Sequence, residues 1–335
     1  MSANLSFLVV DEDAVSHLAD SLRRLPMTST FASTLAPSMR GSREVCLRAC
    51  LWASSICHST KGGLSGTVDG ELNKGWDFLI RAFTCRSTSD PESIAPDHVE
   101  KISEEELSII LSSAASDSRI ALPDLARRAE ILRQTARELR DKWNGSVSLL
   151  LDRADYRVGG ESGAYRLLGE FTAFRDPLKK KSGAFLLTVH FGRLWKILDQ
   201  ESLEPMIDYH RMRLLCRTGC IKIKDENIRT RLESREPVAH GVEESIRRAS
   251  AEICRMLVRI TGLGMFECDN LLWAHARSCC RHQPVCTGGR LEGSSFYSLV
   301  DLPFSGVCEF QSWCPGSIDE SLRSMWEPAT SSEDY

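Results

Sequence analysis

The sequence lacks an apolar run of the roughly 18 residues that a membrane-spanning helix needs. It also lacks a basic segment near its start, where a short apolar stretch is followed by Asp11, Glu12 and Asp13, so a signal peptide is not expected. An excess of one charge is missing too, because 42 basic and 46 acidic residues leave a net charge of -4. We therefore expect a soluble, cytoplasmic protein with no membrane partner and no global attraction for nucleic acid.

Strand signals are also scarce, whereas helical signals are frequent. Residues 220–224 alternate between apolar and polar over too short a span to imply a real sheet. Apolar residues recur at steps of three and four in segments 45–58, 125–143 and 242–260. We therefore expect an all-α protein.

The ends of these helices carry recognisable signals. Ser103 and Glu106 have the spacing of a capping box, which predicts a helix beginning there. Asn144 and Gly262 follow two of the periodic segments and predict their ends.

Connections and domain boundaries follow from glycine, serine and proline. Glycines between residues 62 and 70 predict a flexible connection, and Ser, Asp and Pro at 86–97 predict a loop. We expect four regions, which are a helical N-terminal region (1–100), a helical core (101–276), a Cys-rich segment (277–327) and a disordered polar tail (328–335).

Between residues 102 and 276, short motifs occur in an order that resembles one known family. Ile207–His210 is similar to the family's Ala-Asp-Tyr-Arg, and Asp269–Trp273 is similar to its Asp-Tyr-x-Leu-Trp. The segments that carry the resemblance are, in chain order, Ile102–Leu107, Leu122–Leu125, Ile131–Arg133, Trp143–Ser146, Phe174–Asp176, Ile207–His210, Thr218–Ile223, Glu243–Arg247 and Asp269–Trp273. The chain thereby resembles the queuosine-salvage family, enzymes that release the queuine base from its nucleotide. A second Asp-Tyr-Arg, at Asp155–Arg157, lies in the wrong place in this order.

The resemblance implies a helical fold related to helix-hairpin-helix DNA glycosylases. It also implies a hydrolytic N-glycosidase that acts on a modified-purine nucleoside or nucleotide and needs no cofactor for catalysis. Asp208 is then the expected general base or nucleophile, because a carboxylate beside the anomeric carbon stabilises the positive charge that develops on the ribose. The residues alone leave a second interpretation open, in which Asp208 only caps the helix that follows it.

The resemblance implies substrate contacts at five further positions. Tyr209 would stack on the base or hydrogen-bond to it, and His210, which replaces the family's Arg, would donate a proton. Arg247 would orient Asp208 or bind a phosphate, while Asp269 and Trp273 would line the base pocket. Four of these positions also have a structural alternative, namely packing in or near the core for Tyr209, His210 and Trp273 and a solvated helix face for Arg247.

Departures from the family's pattern keep other functions open. The Lys and Arg of the family's Phe-x-Lys-Arg-Ala-Gln have no match at Phe185–His190, and Ser245 and Met212 replace a Glu and a Pro of other motifs. A second hypothesis is a DNA or RNA base glycosylase, whose backbone contacts would come from the eight basic residues between 211 and 235 and from the lysines at 179–181. A third is a non-catalytic binding protein on the same scaffold.

Cysteine, in contrast, is abundant. The odd number of thirteen, without a signal peptide, disfavours the disulfide framework of a secreted protein. Cys279, Cys286, Cys308 and Cys314 are separated by six, twenty-one and five residues, and the outer two intervals resemble those of glycosylases that carry an iron-sulfur cluster. These four residues predict a structural zinc or an iron-sulfur cluster, with free buried cysteines as the alternative.

Overall fold

The computed structural model describes residues 7–31, 36, 39–60, 62–291, 296–329 and 332–334. The described residues are mostly helical, which confirms the predicted helical class. The α-helices are α1 (Glu12–Arg23), α2 (Arg43–Ser55), α3 (Trp76–Ser89), α4 (Pro96–Val99), α5 (Glu104–Ser112), α6 (Leu125–Trp143), α7 (Val147–Arg153), α8 (Ala164–Leu168), α9 (Lys180–Phe191), α10 (Tyr209–Arg217), α11 (Glu226–Ser234), α12 (His240–Thr261), α13 (Met265–Ser278) and α14 (Glu320–Ser324). The strands are β1 (Leu8–Val10), β2 (Leu64–Val68), β3 (Glu71–Lys74), β4 (Arg119–Ile120) and β5 (Ile221–Ile223). None of the helices in the described ranges is long and apolar enough to cross a membrane.

The chain forms two compact units, and each of them consists of two separate segments of the sequence. Unit 1 consists of Met1–Phe31 and Glu204–Ser331, and unit 2 consists of Ala32–Leu203 and Ser332–Tyr335. These divisions differ from the four regions expected from the sequence, whose first boundary at residue 100 lies inside unit 2. Of the expected disordered tail, residues 332–334 are described with unit 2, whereas residues 330, 331 and 335 lie outside the described residues.

In unit 1, α12 and α13 follow each other across the tripeptide Gly262–Gly264. The buried face of α12 carries the predicted apolar stripe, with Ile246, Ile253 and Leu257 fully buried. Gly262 has φ 76, a left-handed conformation that glycine adopts without a Cβ clash, and it ends α12 as predicted. Gly264 then begins α13. The tripeptide is therefore both a helix C-cap and the whole of a tight helix-helix connection.

Unit 1 also contains a two-stranded antiparallel sheet that the sequence interpretation denied. Leu8 pairs with Ile223 and Val10 pairs with Ile221. The alternation at 220–224 is too short to form a sheet with its own neighbours, but β1 supplies the second strand from more than 200 residues away. The expectation of no real sheet at this segment was wrong because the partner is non-local.

In unit 2 the predicted helices are confirmed. Ser103 and Glu106 form the full capping box at the start of α5, and Asn144 ends α6 with φ 50. Trp52, on α2, is completely buried and donates its indole N–H to the carbonyl of Ile94 at 2.9 Å.

Two predicted connections in unit 2 are structured instead. The glycine-rich segment at 62–70 contains β2, which turns through Asp69 (φ 53) and Gly70 (φ 79) and pairs with β3. Two successive residues with positive φ are what a tight hairpin turn requires, so these glycines mark a hairpin and not a flexible connection. The segment 86–97 includes the end of α3, a short 3₁₀ helix and the start of α4.

Candidate active site

Asp208 lies at the entry to α10 in unit 1. Its backbone is extended (φ -124, ψ 179), and its Oδ1 accepts a hydrogen bond from the backbone N–H of Arg211 at 3.2 Å. Asp208 is therefore the N-cap of this helix, as one of the two interpretations expected. Only 6% of the residue is exposed. Its second oxygen, Oδ2, accepts no hydrogen bond from the described part of the chain. Helix capping therefore uses Oδ1 and does not engage Oδ2.

Arg211 joins the two aspartates that the sequence singled out. Its Nη1 lies 3.2 Å from Oδ1 of Asp208, and its Nη2 donates to Oδ2 of Asp269 on α13. Oδ1 of Asp269 accepts the backbone N–H of Met206 at 3.1 Å. The carboxylate of Asp269 thus fixes both the guanidinium and the chain segment that leads into Asp208.

The electrostatics of this cluster are dominated by burial. Burial raises the pKa of Asp269, and the nearby Asp208 carboxylate adds to that rise while Arg211 opposes it. For Arg211 burial favours the neutral form, but the carboxylates of Asp269 and Asp208 outweigh it and raise the pKa of the guanidinium. Two carboxylates around one guanidinium give a site suited to stabilising a positive charge on a bound substrate.

Arg247, on α12, also belongs to this neighbourhood. It is buried, and its Nε donates to the carbonyl oxygen of Ile207 at 3.3 Å. The alternative of a solvated helix face is therefore wrong for this residue. Because Ile207 directly precedes Asp208, Arg247 helps to hold the backbone on which the carboxylate is mounted.

The aromatic candidates lie on the helices of the same cluster. Tyr209 and His210 are half-buried in the first turn of α10, with ring centroids 4.3 Å apart. Nη2 of Arg213 lies 3.0 Å from Nδ1 of His210. Since a guanidinium only donates, that nitrogen is the acceptor and the proton of the neutral ring is on Nε2. The half-buried Trp273 lies one turn beyond Asp269 on α13, and the guanidinium of Arg277 stacks 4.6 Å from its ring.

Arg211 was not recognised from the sequence, because it was counted as part of a basic surface segment. In the structure Arg211, Arg213 and Arg217 are all buried. Arg213 pairs with Glu327 at 2.7 Å, and Arg217 donates to the carbonyl of Met325 at 2.8 Å. The spacing of Asp208 and Arg211, three residues apart at a helix start and among apolar neighbours, was the signal that could have identified the pair.

Two buried lysines were also misjudged. Lys180 and Lys181 begin α9, the helix that contains Phe185, and both are buried in unit 2. Nζ of Lys180 donates to the carbonyl of Cys57, and Nζ of Lys181 to that of Ser55, each at 2.7 Å. Burial and the adjacent Lys180 lower the pKa of Lys181 to about 8. The helix in which the family's Lys and Arg have no match therefore carries two lysines about two turns before the positions of that motif.

The second Asp-Tyr-Arg segment has none of these features. Asp155 is exposed and has a left-handed backbone, with φ 47. Among the ion pairs of the described residues, none joins Asp155 to a buried arginine in the way that Arg211 is joined to Asp208 and Asp269. This agrees with its exclusion on motif order.

The four predicted metal-ligand cysteines do lie together. Cys279, Cys286, Cys308 and Cys314 all line one pocket of unit 1, which Arg217 also lines. Burial raises the pKa of Cys279 and of Cys314 to about 12. In the described ranges no group of three or more His, Cys, Asp or Glu side chains could hold a metal ion. The predicted zinc or iron-sulfur site thus finds no support, and none of these four cysteines forms a disulfide.

A mostly helical protein with a buried aspartate at a helix start, oriented by an arginine and a second aspartate, has the kind of site that a glycoside-cleaving hydrolase needs. The comparison with family models agrees with this class. The model of the queuosine salvage protein family matches residues 47–263, well over half of the chain. The chain belongs to the queuosine salvage protein family. The predicted N-glycosidase activity is confirmed at the level of this family.

Comparison with solved structures finds an 8-oxoguanine DNA glycosylase from Pyrobaculum aerophilum, Pa-AGOG, in complex with 8-oxoguanosine. The two chains are 16% identical, the match covers 90% of this chain and 97% of the other, and the TM-score is 0.49. A TM-score below 0.5 defines neither the fold nor the function of this chain. No curated protein matches the sequence.

Proposed function

We propose that this chain hydrolyses the N-glycosidic bond of queuosine 5'-phosphate or of a closely related modified-purine nucleotide, with Asp208 as general base or nucleophile. The observation that carries the proposal is that the two oxygens of the Asp208 carboxylate have different surroundings. Oδ1 is held by the backbone N–H and guanidinium of Arg211, and Oδ2 accepts no hydrogen bond within the described residues. An oriented carboxylate with one uncommitted oxygen is suited to act on an anomeric carbon.

The reaction needs no cofactor. As the bond between the anomeric carbon and the base nitrogen breaks, its electron pair leaves with the base and positive charge develops on the ribose. Oδ2 of Asp208 either bonds to the anomeric carbon, in which case water later releases the sugar, or accepts a proton from the water that attacks. The departing base nitrogen must gain a proton. His210 is a neutral ring whose Nδ1 accepts from Arg213, so loss of its Nε2–H would leave an imidazolate. We therefore assign this proton to water, so that the net reaction adds the hydroxyl of one water to the sugar and its proton to the base.

Arg211 and Asp269 would act as positioning residues. Arg211 is itself fixed by Asp269, and the anchored backbone N–H of Met206 limits movement of the segment before Asp208. The half-buried rings of Tyr209 and Trp273 are proposed to contact the planar base, for which an amphipathic aromatic surface is well suited.

Cleavage of an N-glycosidic bond within DNA or RNA is less well supported. The basic segment at 211–235 was the proposed backbone contact, but Arg211, Arg213 and Arg217 are buried and engaged with acidic groups and carbonyls. Phosphates of a duplex would have to be contacted by exposed cations. The three buried arginines cannot provide those contacts. They would fall to the other five basic residues of the segment, none of which is buried, namely Lys222, Lys224, Arg229, Arg231 and Arg235.

The test is base release from queuosine 5'-phosphate by the purified full chain, measured chromatographically. Asp208→Asn should abolish release, because the amide keeps the shape and the capping ability of the side chain but cannot act as base or nucleophile. Asp155→Asn is the matched control, since it changes the aspartate of the other Asp-Tyr-Arg segment, and it should leave the rate unchanged. Equal rates for wild type and Asp208→Asn would refute the proposed role. Release from a damaged duplex but not from the nucleotide would favour the nucleic-acid alternative.

A further inference from the structure

The segment at residues 325–327 contacts α10 and lies outside residues 47–263, which the family model matches. Nε of Arg217, on α10, donates to the carbonyl oxygen of Met325 at 2.8 Å. The same guanidinium lies 4.9 Å from the ring centroid of Trp326. Met325 and Trp326 are both buried, so this segment is an integral part of unit 1.

Glu327, the last residue of this segment, is connected to the proposed site through Arg213. Its Oε2 lies 2.7 Å from Nη1 of Arg213, and the side chains of Glu327 and Arg213 are only 8% and 2% exposed. Nη2 of Arg213 donates to Nδ1 of His210 and to the carbonyl oxygen of Ala276, each at 3.0 Å. Its Nε donates to the carbonyl oxygen of Cys280, also at 3.0 Å. All three nitrogens of the guanidinium are therefore engaged, and four partners fix its plane.

We infer that Glu327 and Arg213 are positioning residues of the proposed active site, where together they hold His210 in the tautomer that carries its proton on Nε2. The inference rests on the proposed function and on the substrate contact expected for His210. The family's motif has Arg at this position, and a guanidinium only donates hydrogen bonds, whereas a neutral imidazole can donate or accept. Because Arg213 occupies Nδ1 as a donor, His210 keeps the donor character of the residue that it replaces.

This donor determines what the substrate must offer. Nε2–H of His210 can bond to a carbonyl oxygen or to an unprotonated ring nitrogen of the base. Arg213 thereby favours one hydrogen-bonding pattern of the base without touching it. Glu327 acts one step further away, since a buried guanidinium that loses its carboxylate is left with an uncompensated charge and no longer has a fixed position.

The first measurement is the long-range ¹H–¹⁵N NMR spectrum of the full chain labelled with ¹⁵N-histidine, in which the signal of His210 is assigned by its absence from His210→Gln. Wild type should show the Nε2–H tautomer. Glu327→Met removes the carboxylate and preserves side-chain length, so Arg213 loses its partner and His210 should populate both tautomers. Glu320→Met is the matched control, because Glu320 is exposed at the start of α14, and it should leave the signal unchanged. An unchanged tautomer in Glu327→Met would overturn the inference.

The second measurement is KM for base release from queuosine 5'-phosphate. Loss of one hydrogen bond to the substrate should raise KM in Glu327→Met by about three- to tenfold, with a smaller change in kcat. Arg213→Gln should raise KM by a similar factor. Adding Glu327→Met to Arg213→Gln should raise KM no further, because Glu327 acts only through Arg213. Multiplicative increases in the double variant, or a changed tautomer with an unchanged KM, would contradict the positioning role.

Both residues are buried, so circular dichroism must first show that each variant is folded. If Glu327→Met does not fold, Glu327→Gln takes its place, because it keeps the shape of the side chain and an acceptor oxygen, and it should shift the tautomer less but in the same direction. The NMR measurement needs no turnover. If wild type released no base, the role proposed for Asp208 would fail, and the tautomer of His210 would still decide whether Glu327 acts on it.

Discussion

Arg211 and Asp269 form an ion pair that is closed to solvent on both sides, with side chains only 4% and 1% exposed. Removing two charges from water is costly, and this cost is offset because Arg211 contacts both Asp269 and Asp208 and Asp269 also accepts the backbone N–H of Met206. The Nε of Arg211 is buried without a hydrogen-bond partner among the described residues. The pair links α10 to α13 at the point where Asp208 enters its helix. Through Arg211 and the N–H of Met206, the pair is in contact with Asp208 itself and with the segment that leads into it.

Replacement of Arg211 by Met should destabilise the protein strongly. The change leaves the buried carboxylate of Asp269 without its cation, and breaking a buried pair in this way costs about 3–5 kcal/mol. Urea unfolding followed by circular dichroism measures the loss. Arg248→Met is the control, because Arg248 on α12 makes an exposed pair with Glu244 that contributes less than about 1 kcal/mol. Similar losses for the two variants would show that the Arg211 pair is not closed to solvent.

Substitutions of Asp208 should separate its capping role from its chemical role. Asp208→Asn retains a good N-cap, whereas Asp208→Ala loses the bond to the N–H of Arg211 and should cost about 1 kcal/mol of unfolding free energy. Both variants should lose activity on queuosine 5'-phosphate by about a hundredfold or more in kcat. If activity instead follows stability, with Asn close to wild type and Ala reduced, Asp208 is a cap and nothing more.

His275 should make the protein sensitive to mild acid. Its side chain is buried in unit 1, stacked on Phe310 with ring centroids 3.9 Å apart, and burial lowers its pKa from 6.5 to about 3. Between these values the unfolded chain binds a proton that the folded chain excludes. Unfolding free energy should therefore fall as pH drops from 6.5 towards 3, by about 1.4 kcal/mol per pH unit from this residue.

The measurement is the urea midpoint at pH 6.5 and pH 5. The variant His275→Gln lacks the titrating ring. The unfolding free energy that it loses between these pH values should therefore be smaller than the loss of wild type by about 2 kcal/mol. The quantity to compare is the change in unfolding free energy with pH, and not its absolute value, because the substitution also changes packing. Parallel slopes would mean that His275 is protonated in the folded protein.

Two glycines near the ends of α12 should respond to alanine in opposite directions. Gly262 has φ 76, where a Cβ is strained whatever the space around it, so Gly262→Ala should cost about 1 kcal/mol. Gly241 lies in the first turn of α12 at an ordinary φ with nothing within 4 Å of an added Cβ. Gly241→Ala should therefore stabilise by about 0.4–1 kcal/mol. Thermal melting of both variants tests the pair, and a shift in the same direction for both would contradict the assignment of Gly262 as a left-handed helix end.

The helices were predictable because their signals are local, whereas the β1–β5 sheet was not, because it depends on a distant partner strand. The stripe of α12 and the capping box of Ser103 with Glu106 depend on residues within one or two turns, so a sequence reader sees all of the pattern. The pairing of Leu8 with Ile223 depends on residues more than 200 positions apart. Three alternating residues become a strand only when such a partner is present.

The candidate site was predictable to a similar, limited extent. Asp208 and Asp269 were identified through motif order, and the structure connects them through Arg211. Arg211 and Lys181 were missed because a basic residue is normally solvated, and a run of them suggests a surface. What overrides that expectation is burial beside a partner, and burial depends on the whole fold.

The division of unit 1 between Met1–Phe31 and Glu204–Ser331 has a consequence for synthesis on the ribosome. The strand β1 and the apolar face of α1 leave the exit tunnel more than 200 residues before β5 and α12, against which they pair and pack. At ordinary elongation speed the interval is on the order of ten to thirty seconds. During this time the nascent chain carries an unpaired strand edge, and chaperone binding to the segment of β1 and α1 would protect it from aggregation.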